Sequence, residues 1–261
     1  MSNSMKIKEM VQYHIQLKSG DVGRYVLLPG DPGRCEKIAA FFDDPLPVAK
    51  NREYTSYTGS LDGEMVSVVS TGIGCPSAAI AVEELIRIGA DTFIRVGTAG
   101  GIQPGTKTGD LAIVTGAIRD EGTTRQYLPL EFPAVADIDV VLALREAAIK
   151  LGLPFRVGVT QSKDSFYGEV EAKRMPVADH LRKRWKAWVD GGAICSEMEA
   201  AAIFILSSIN RVRAGGVMMM VATGEGLPDS EEEKELFHSD RAIRTAIEAL
   251  RILIEMDRKA G

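Results

Sequence analysis

The stretch Tyr25-Val26-Leu27-Leu28-Pro29-Gly30-Asp31-Pro32-Gly33-Arg34 decides the fold class. A short apolar run ends in a Gly/Pro turn, and an arginine stands where the next periodic segment begins. That succession reads as strand, loop and helix. A loop of this shape turns backbone N–H groups toward a helix N-terminus, where the macrodipole favours an anion. Arg34 adds a planar fork suited to phosphate. The stretch has neither the Gly-Lys-Ser/Thr of a nucleotide P-loop nor the Gly-x-Gly-x-x-Gly of a dinucleotide site. Taken alone, it fits a phosphate site and an ordinary strand-to-helix turn with a surface arginine about equally.

The same unit recurs along the chain. Apolar, β-branched runs predict strands at Tyr25–Leu28, Met65–Ser70, Thr92–Val96, Leu111–Thr115, Arg156–Thr160 and Gly216–Val221. Helical periodicity alternates with them at Arg34–Phe42, Pro76–Gly89, Asp139–Leu151, Glu199–Ile209 and Asp240–Met256. In the last of these, Ile243, Ile247, Leu250 and Ile254 form one apolar stripe. Pro76 opens its helix, where a missing N–H costs nothing. Alternation of this kind predicts an α/β fold with a largely parallel sheet. Two pairs of strands lack an intervening helix: Tyr54–Gly59 into Met65–Ser70, and Thr92–Val96 into Leu111–Thr115. They predict a mixed, distorted sheet that is partly barrel-like and flanked by helices.

The 261 residues carry no Ser/Gly tract, Pro-rich run or long single-sign block, so one domain over 1–261 is expected. A formal net charge of -5 argues against general affinity for nucleic acid or membranes. Any anion site must be a local cluster of arginines. Met1 to Met10 is polar, and no apolar run is long enough to span a bilayer. Cys35, Cys75 and Cys195 are widely spaced, as are His14, His180 and His238. Neither a disulfide framework nor a structural zinc site is expected, and a reduced, cytoplasmic setting follows.

Chemistry gathers at strand ends in such sheets. Leu28 runs into the Gly30–Arg34 turn, Val69 into Ser70-Thr71-Gly72-Ile73-Gly74, and Ile94 through Arg95 into Gly97-Thr98-Ala99-Gly100-Gly101. Glycines there let a ligand approach the backbone. Arg95 interrupts an apolar run, where a charge is buried only if paired. It either points into a site and binds an anion beside Thr98, or forms a buried salt bridge; Arg34 favours the first. Ser196-Glu197-Met198-Glu199 precedes an Ala-rich helix. Its carboxylates can cap that helix. They can equally hold vicinal sugar hydroxyls, with methionine as an adaptable wall. Lys163-Asp164-Ser165-Phe166-Tyr167-Gly168 follows a strand, and its aromatics can pack in a core or stack on a flat ring. Cys35, beside Arg34, is expected to pack rather than to react.

Together these motifs resemble the hexameric family of nucleoside phosphorylases, most closely its uridine phosphorylases. The matching stretches are Pro-Gly-Asp-Pro-Gly-Arg at 29–34, Arg52-Glu53-Tyr54, Ser-Thr-Gly-Ile-Gly at 70–74, Arg-Val-Gly-Thr at 95–98, Glu-Phe-Pro-Ala-Val-Ala-Asp at 131–137, Asp164 to Gly168, and Ser-Glu-Met-Glu at 196–199. They span nearly the whole chain, and the 131–137 segment marks the uridine branch. The resemblance implies a distorted β-barrel domain in a homohexamer built as a trimer of dimers. It implies reversible phosphorolysis of a nucleoside to free base and ribose 1-phosphate, with inorganic phosphate as co-substrate and no cofactor. Phosphate would meet Gly30, Arg34, Arg95 and Thr98, and Arg52 from a neighbouring subunit. Ribose would meet Met198 and Glu199, with Glu197 close by and His14 from the neighbour. The base would lie among Ala99, Gly100, Phe166, Glu169, Arg174, Met219 and Met220. Glu53, Ile73 and Ser77 match an optional monovalent cation site, for potassium, at a dimer interface.

The implied reaction needs no enzyme nucleophile, because phosphate attacks a cation-like ribose and positioning supplies the rate. The base is the open question. The purine branch places an aspartate acid after the strand at Gly216–Val221, but here Ala222-Thr223-Gly224-Glu225 follows and Asp229 lies beyond Pro228. The uridine branch reads its base with a Gln and an Arg. Here Glu169 falls at the Gln position, Arg174 is the nearest arginine, and Ala222 stands where a supporting loop arginine is usual. A carboxylate accepts from N3–H but cannot donate to a carbonyl. The competing readings are a purine or broad nucleoside phosphorylase, a hydrolytic nucleosidase, and a nucleoside-binding protein; the three arginines and Glu199 argue against the last two. The Gly224–Glu233 segment, glycine-containing and acidic, is a candidate lid.

Overall fold

The computed structural model describes residues 10–223 and 240–260, so the candidate lid, Glu225, Pro228 and Asp229 lie outside the described residues. The chain order begins β1 (Tyr25–Pro29), α1 (Gly33–Ala39), β2 (Asp43–Asn51), β3 (Tyr54–Leu61), β4 (Glu64–Val69), α2 (Cys75–Ile88), β5 (Thr92–Gly101) and β6 (Leu111–Asp120). It continues with β7 (Ala134–Val135), α3 (Ile138–Lys150), β8 (Phe155–Lys163), α4 (Phe166–Val170), α5 (Ala178–Asp190), β9 (Cys195–Glu197), α6 (Ala200–Asn210), β10 (Arg213–Thr223) and α7 (Arg241–Ala260).

These strands make one mixed sheet that closes on itself. Strand β5 pairs in parallel with β10 and antiparallel with β9. Strand β10 pairs antiparallel with β6, β6 in parallel with β8, and β8 in parallel with β9. The ring β5–β10–β6–β8–β9 is therefore a small closed barrel of mixed direction, as the helix-free strand connections predicted. An open wing, β1–β4–β3–β2, extends from β5 through the parallel β1–β5 pairing. Apolar residues of the two sheet faces feed two core clusters. In one, Val26, Leu28, Phe93 and Met218 pack on α2 and α6. In the other, Leu27, Ile94, Val217 and Leu253 join α1, α3 and α7.

Four differences from the sequence-based expectation have physical causes. Strand β5 does not turn at Gly97; it continues to Gly101, because β10 pairs with it residue by residue from Thr92 to Gly101. The short strand β9 and the exposed wing strand β2 carry little apolar periodicity and were not predicted. Helix α5 was also missed, for it buries no residue completely and its sequence is mostly charged. The turn after β1 is also not the open anion cradle that its sequence suggested. Asp31 accepts the Gly33 N–H at 2.8 Å, and the Arg34 and Cys35 N–H groups bond to the carbonyls of Asp31 and Pro32. The N–H groups of Gly33, Arg34 and Cys35 are therefore already engaged within the turn.

The Glu131–Asp137 segment is structural. Ala134–Val135 pairs with β6, and Asp137 caps α3 by accepting the N–H groups of Asp139 and Val140 at 3.0 and 3.2 Å. All three cysteines are free and buried. Burial pushes the thiols of Cys35 and Cys195 up to about 12, and that of Cys75 upward as well. Two outcomes follow. Asp137→Ala should lower the unfolding free energy by about 1 kcal/mol through loss of the cap, leaving activity unchanged, as denaturant titration will show. Because each thiol sits above its ordinary value, all stay protonated at pH 8, so iodoacetamide should label the native protein negligibly and label all three cysteines only after unfolding.

Candidate active site

Arg95 is the centre of the site. It lies on β5, nearly inaccessible to solvent, and its Nε donates to Glu197 Oε2 at 2.7 Å. Its Nη2 pairs with Glu199 Oε2. Burial pulls the guanidinium down, but the carboxylates of Glu199 and Glu197 outweigh this and hold it above its ordinary value. The salt-bridge alternative therefore describes Arg95 directly, and its partners are the two carboxylates considered for the sugar.

Those two carboxylates differ. Glu197 is fully committed within the protein: it accepts from Arg95, from the Ser162 hydroxyl, and from the N–H groups of Glu199 and Ala200 at 2.9 Å each. It caps α6 and anchors Arg95, with three of these bonds on Oε2 and the Ser162 hydroxyl on Oε1. Glu199 accepts the Gly74 N–H at 2.6 Å through Oε1 and meets Arg95 through Oε2. Burial pushes its carboxyl upward, Arg95 opposes that, and the charge of Glu197 adds to it. Met198 stands between them, half-buried, its carbonyl near the Cys75 thiol.

A cleft of about 260 Å³ opens beside this cluster, lined by Asp31, Arg34, Lys37, Gly97, Thr98 and Met219 among others. Alternation along β5 points Arg95 and Gly97 to one face and Val96 and Thr98 to the other. Gly97 nevertheless connects the two faces, because it has no side chain. A Cβ there would lie 3.0 Å from Arg95 Nη2 and 3.1 Å from its central carbon. The glycine thus lets the guanidinium fold back against the strand that forms the cleft wall. Arg34 makes no ion pair among the described residues. Burial pulls its guanidinium below its ordinary value; Asp31 opposes this, and the charge of Arg95 adds to it. Arg95 is matched by its two carboxylates, so Arg34, desolvated and facing a like charge, is the group that an anion would neutralise. Gly30 ends β1 nearby, where a Cβ would come within 3.2 Å of the Gly72 carbonyl oxygen.

Other predicted residues lie apart from this cleft within one chain. His14 is held by Glu84 of α2, whose carboxylate accepts from the His14 and Ile15 N–H groups and lies 2.6 Å from His14 Nδ1. Glu84 is a residue that sequence reasoning missed; a buried glutamate on an apolar helix face was its only signal. Arg52 sits in the β2–β3 turn at φ 53°, its guanidinium 6.0 Å from the Tyr13 ring. Both residues stand at the surface. Glu53 and Ser77 do meet, the Ser77 hydroxyl donating to Glu53 Oε1 at 2.7 Å and drawing its carboxyl below the usual range. Ile73 is highly exposed close by. Among the described residues, no group of three or more His, Cys, Asp or Glu is arranged to hold a metal.

The base-side residues divide. Gly100 faces open space, while Ala99 is packed in the core, so only its backbone is available. Met219 lines the cleft, but Met220 points to the opposite face and is buried against Gly101 and α6. Two consecutive strand residues cannot both face one ligand. Phe166 is partly exposed and packs edge-on to Tyr167 with ring centres 5.4 Å apart. Glu169 is drawn inward to Lys163 at 2.9 Å and to the Ser196 hydroxyl at 3.0 Å. Arg174 is not brought to the site: it pairs with Glu171 on the surface and stacks over Tyr167.

The model of the phosphorylase superfamily matches residues 24–255. A uridine phosphorylase of Treponema pallidum (strain Nichols) is 50% identical over 246 residues, covering 94% of this chain and 95% of its own. A uridine phosphorylase of Thermococcus kodakarensis is 46% identical, covering 96% of this chain and 89% of its own. A guanosine phosphorylase of Halorubrum lacusprofundi is 40% identical, covering 93% and 99%. A closed mixed barrel with buried Arg95 between Glu197 and Glu199, and a family match running from β1 into α7, place the chain in the phosphorylase superfamily.

Proposed function

We propose that this protein catalyses reversible phosphorolysis of uridine to uracil and ribose 1-phosphate. The observation that carries the reading is the shared position of Arg95. It bonds the carboxylate suited to a sugar and, past Gly97, backs the cleft that holds Arg34, a cation with no ion pair among the described residues. Phosphate enters the cleft between Arg34, Thr98 and the Gly30 turn, and Arg52 of an adjoining subunit completes its charge balance. Ribose lies across Met198 with its 2′- and 3′-hydroxyls on Glu199. The ends of β5 and β9 are hydrogen-bonded neighbours through Gly100 and Ser196, which brings the strand of Arg95 and Thr98 beside the strand that leads into Met198 and Glu199. As the C1′–N bond lengthens, positive charge grows on C1′ next to a phosphate oxygen already held and stripped of water. Rate then comes from positioning and fixed electrostatics.

Assembly is part of the proposal. His14 and Arg52 serve a neighbour's site in a homohexamer built as a trimer of dimers. Exposed Met10, Val11, Tyr13 and Ile73 near these residues support an interface there. A potassium ion at Glu53, Ile73 and Ser77 would bridge that interface. Three free thiols fit a reducing, cytoplasmic setting, and no described helix is long and apolar enough to cross a membrane. A second reading, a purine or broad-specificity phosphorylase, draws on the similarity to the guanosine phosphorylase.

The test is release of uracil from uridine against inorganic phosphate. The rate should saturate with phosphate and fall to background without it; an equal rate without phosphate would overturn the reading. Arg34→Ala should raise the phosphate KM and lower kcat/KM by about 100-fold or more while the protein stays folded. Glu197 acts differently, through Arg95. Glu197→Ala strands a buried guanidinium and should cost about 3–5 kcal/mol of stability, measurable by thermal unfolding, together with lost activity.

A further inference from the structure

The base-reading groups suggested by family resemblance fall short here, since Arg174 is outside and Glu169 is occupied. A second cavity, of about 370 Å³, supplies others. It lies where β8 meets α4 and α5, and Gln161, Lys163, Glu169, Trp185 and Trp188 line it. Gln161 and Lys163 are two apart on one strand, so they share a face. Both are more than nine-tenths buried.

Each has hydrogen-bonding capacity left over. The Gln161 amide nitrogen donates to Asp120 at 2.7 Å, which fixes the amide and leaves its oxygen buried without a partner among the described residues. A buried acceptor in that state costs free energy until something donates to it. An ammonium has three N–H donors. Lys163 uses one on Glu169 and one on the Ser196 hydroxyl, and no further acceptor meets it among the described residues. Its nitrogen lies 6.0 Å from the centre of the Phe166 ring, and its partner Ser196 pairs with Gly100. One acceptor and one cationic donor thus line one cavity walled by Trp185 and Trp188, beside the strand β9 that leads into Met198 and Glu199.

The geometry points to Gln161 and Lys163 as the pair that selects the base, by recognising a lactam edge, –NH–C(=O)–. The Gln161 oxygen accepts the ring N–H, and Lys163 donates to the adjoining carbonyl oxygen. Uracil, thymine and the 6-oxopurines present that edge; cytosine and adenine present an acceptor and an amino donor instead, the reverse polarity. Lys163 also has a part in the reaction. When the C1′–N bond breaks, its electron pair goes to the base as a phosphate oxygen bonds to C1′, and the negative charge spreads to the ring oxygens. The Lys163 N–H stabilises that charge without giving up its proton, and Glu169 is neutralised by Lys163 rather than left to repel the leaving base. This inference rests on the phosphorylase reading and deepens it.

The experiment measures phosphate-dependent kcat/KM for uridine, cytidine, inosine, adenosine and 5-fluorouridine with wild type, Gln161→Leu, Lys163→Met and the double variant K163M/E169Q. The wild type should prefer uridine to cytidine and inosine to adenosine by more than about 100-fold, because a buried donor or acceptor left unpaired is penalised strongly. Gln161→Leu should erase most of that preference. Lys163→Met should lower uridine turnover by about 100-fold or more, and 5-fluorouridine less, since its base anion needs less stabilisation. A merely structural lysine would reduce both substrates equally. K163M/E169Q, which leaves no unpaired carboxylate, should show the same substrate pattern if the single variant misfolds. Retention of uridine preference and of the 5-fluorouridine ratio in folded variants would overturn the inference and leave the phosphorylase reading standing. Absence of phosphate-dependent cleavage by the wild type would instead overturn that reading. Calorimetry with free uracil and free cytosine then decides the inference: uracil bound and cytosine excluded supports it, and equal binding or none refutes it.

Discussion

A guanidinium taken out of water must be matched, and in this fold the match for Arg95 organises everything around it. An unpaired ion in the interior costs several kcal/mol, so its partners cannot be dispensable. Glu197 and Glu199 flank it from the start of α6, and Glu197 is in turn pinned by Ser162 from β8 and by the first N–H groups of α6. One ion pair therefore ties together β5, β8, β9 and α6, four of the elements that build the site. Glu199 accepts the Gly74 N–H on its other oxygen and is the carboxylate that the proposed function gives to ribose.

Barrel closure makes this possible. Because β10 extends the pairing of β5 as far as Gly101, the strand holds Arg95 on one face and Thr98 on the other in fixed register. A loop at Gly97, as the glycines suggested, would have left both free to move. The glycine serves a different purpose: it gives the folded-back guanidinium room beside the cleft wall. The charges then segregate. Arg95 is matched by carboxylates, whereas Arg34 is desolvated and feels Arg95 as a like charge, so the cleft's appetite for an anion resides mainly on the Arg34 side.

Much of this was legible in the residues. The alternation of β-branched runs with amphipathic stretches gave the α/β class, and the missing helix between β3 and β4 signalled mixed pairing. Arg95 in an apolar run left open an anion site or a buried salt bridge and favoured the anion, where the structure supplies two carboxylates; Ser-Glu-Met-Glu announced both a cap and a sugar carboxylate. Which carboxylate took which role depended on Ser162, a serine that nothing local distinguishes. Met219 and Met220 were placed together by sequence proximity and separated by strand alternation. Gln161 and Lys163 escaped notice because an amide and an ammonium at the end of a strand look like ordinary surface polarity until burial is known. Helix α5, which covers them, has too polar a sequence to declare itself.

The most direct test of the account is equilibrium binding of inorganic phosphate and of uridine, each alone, to Arg95→Met and Arg34→Met. If Arg95 serves both substrates through Glu199 and the cleft, Arg95→Met weakens phosphate and uridine together, while Arg34→Met weakens phosphate and spares uridine. Unchanged uridine affinity in folded Arg95→Met would contradict the claim that this one guanidinium organises both halves of the site.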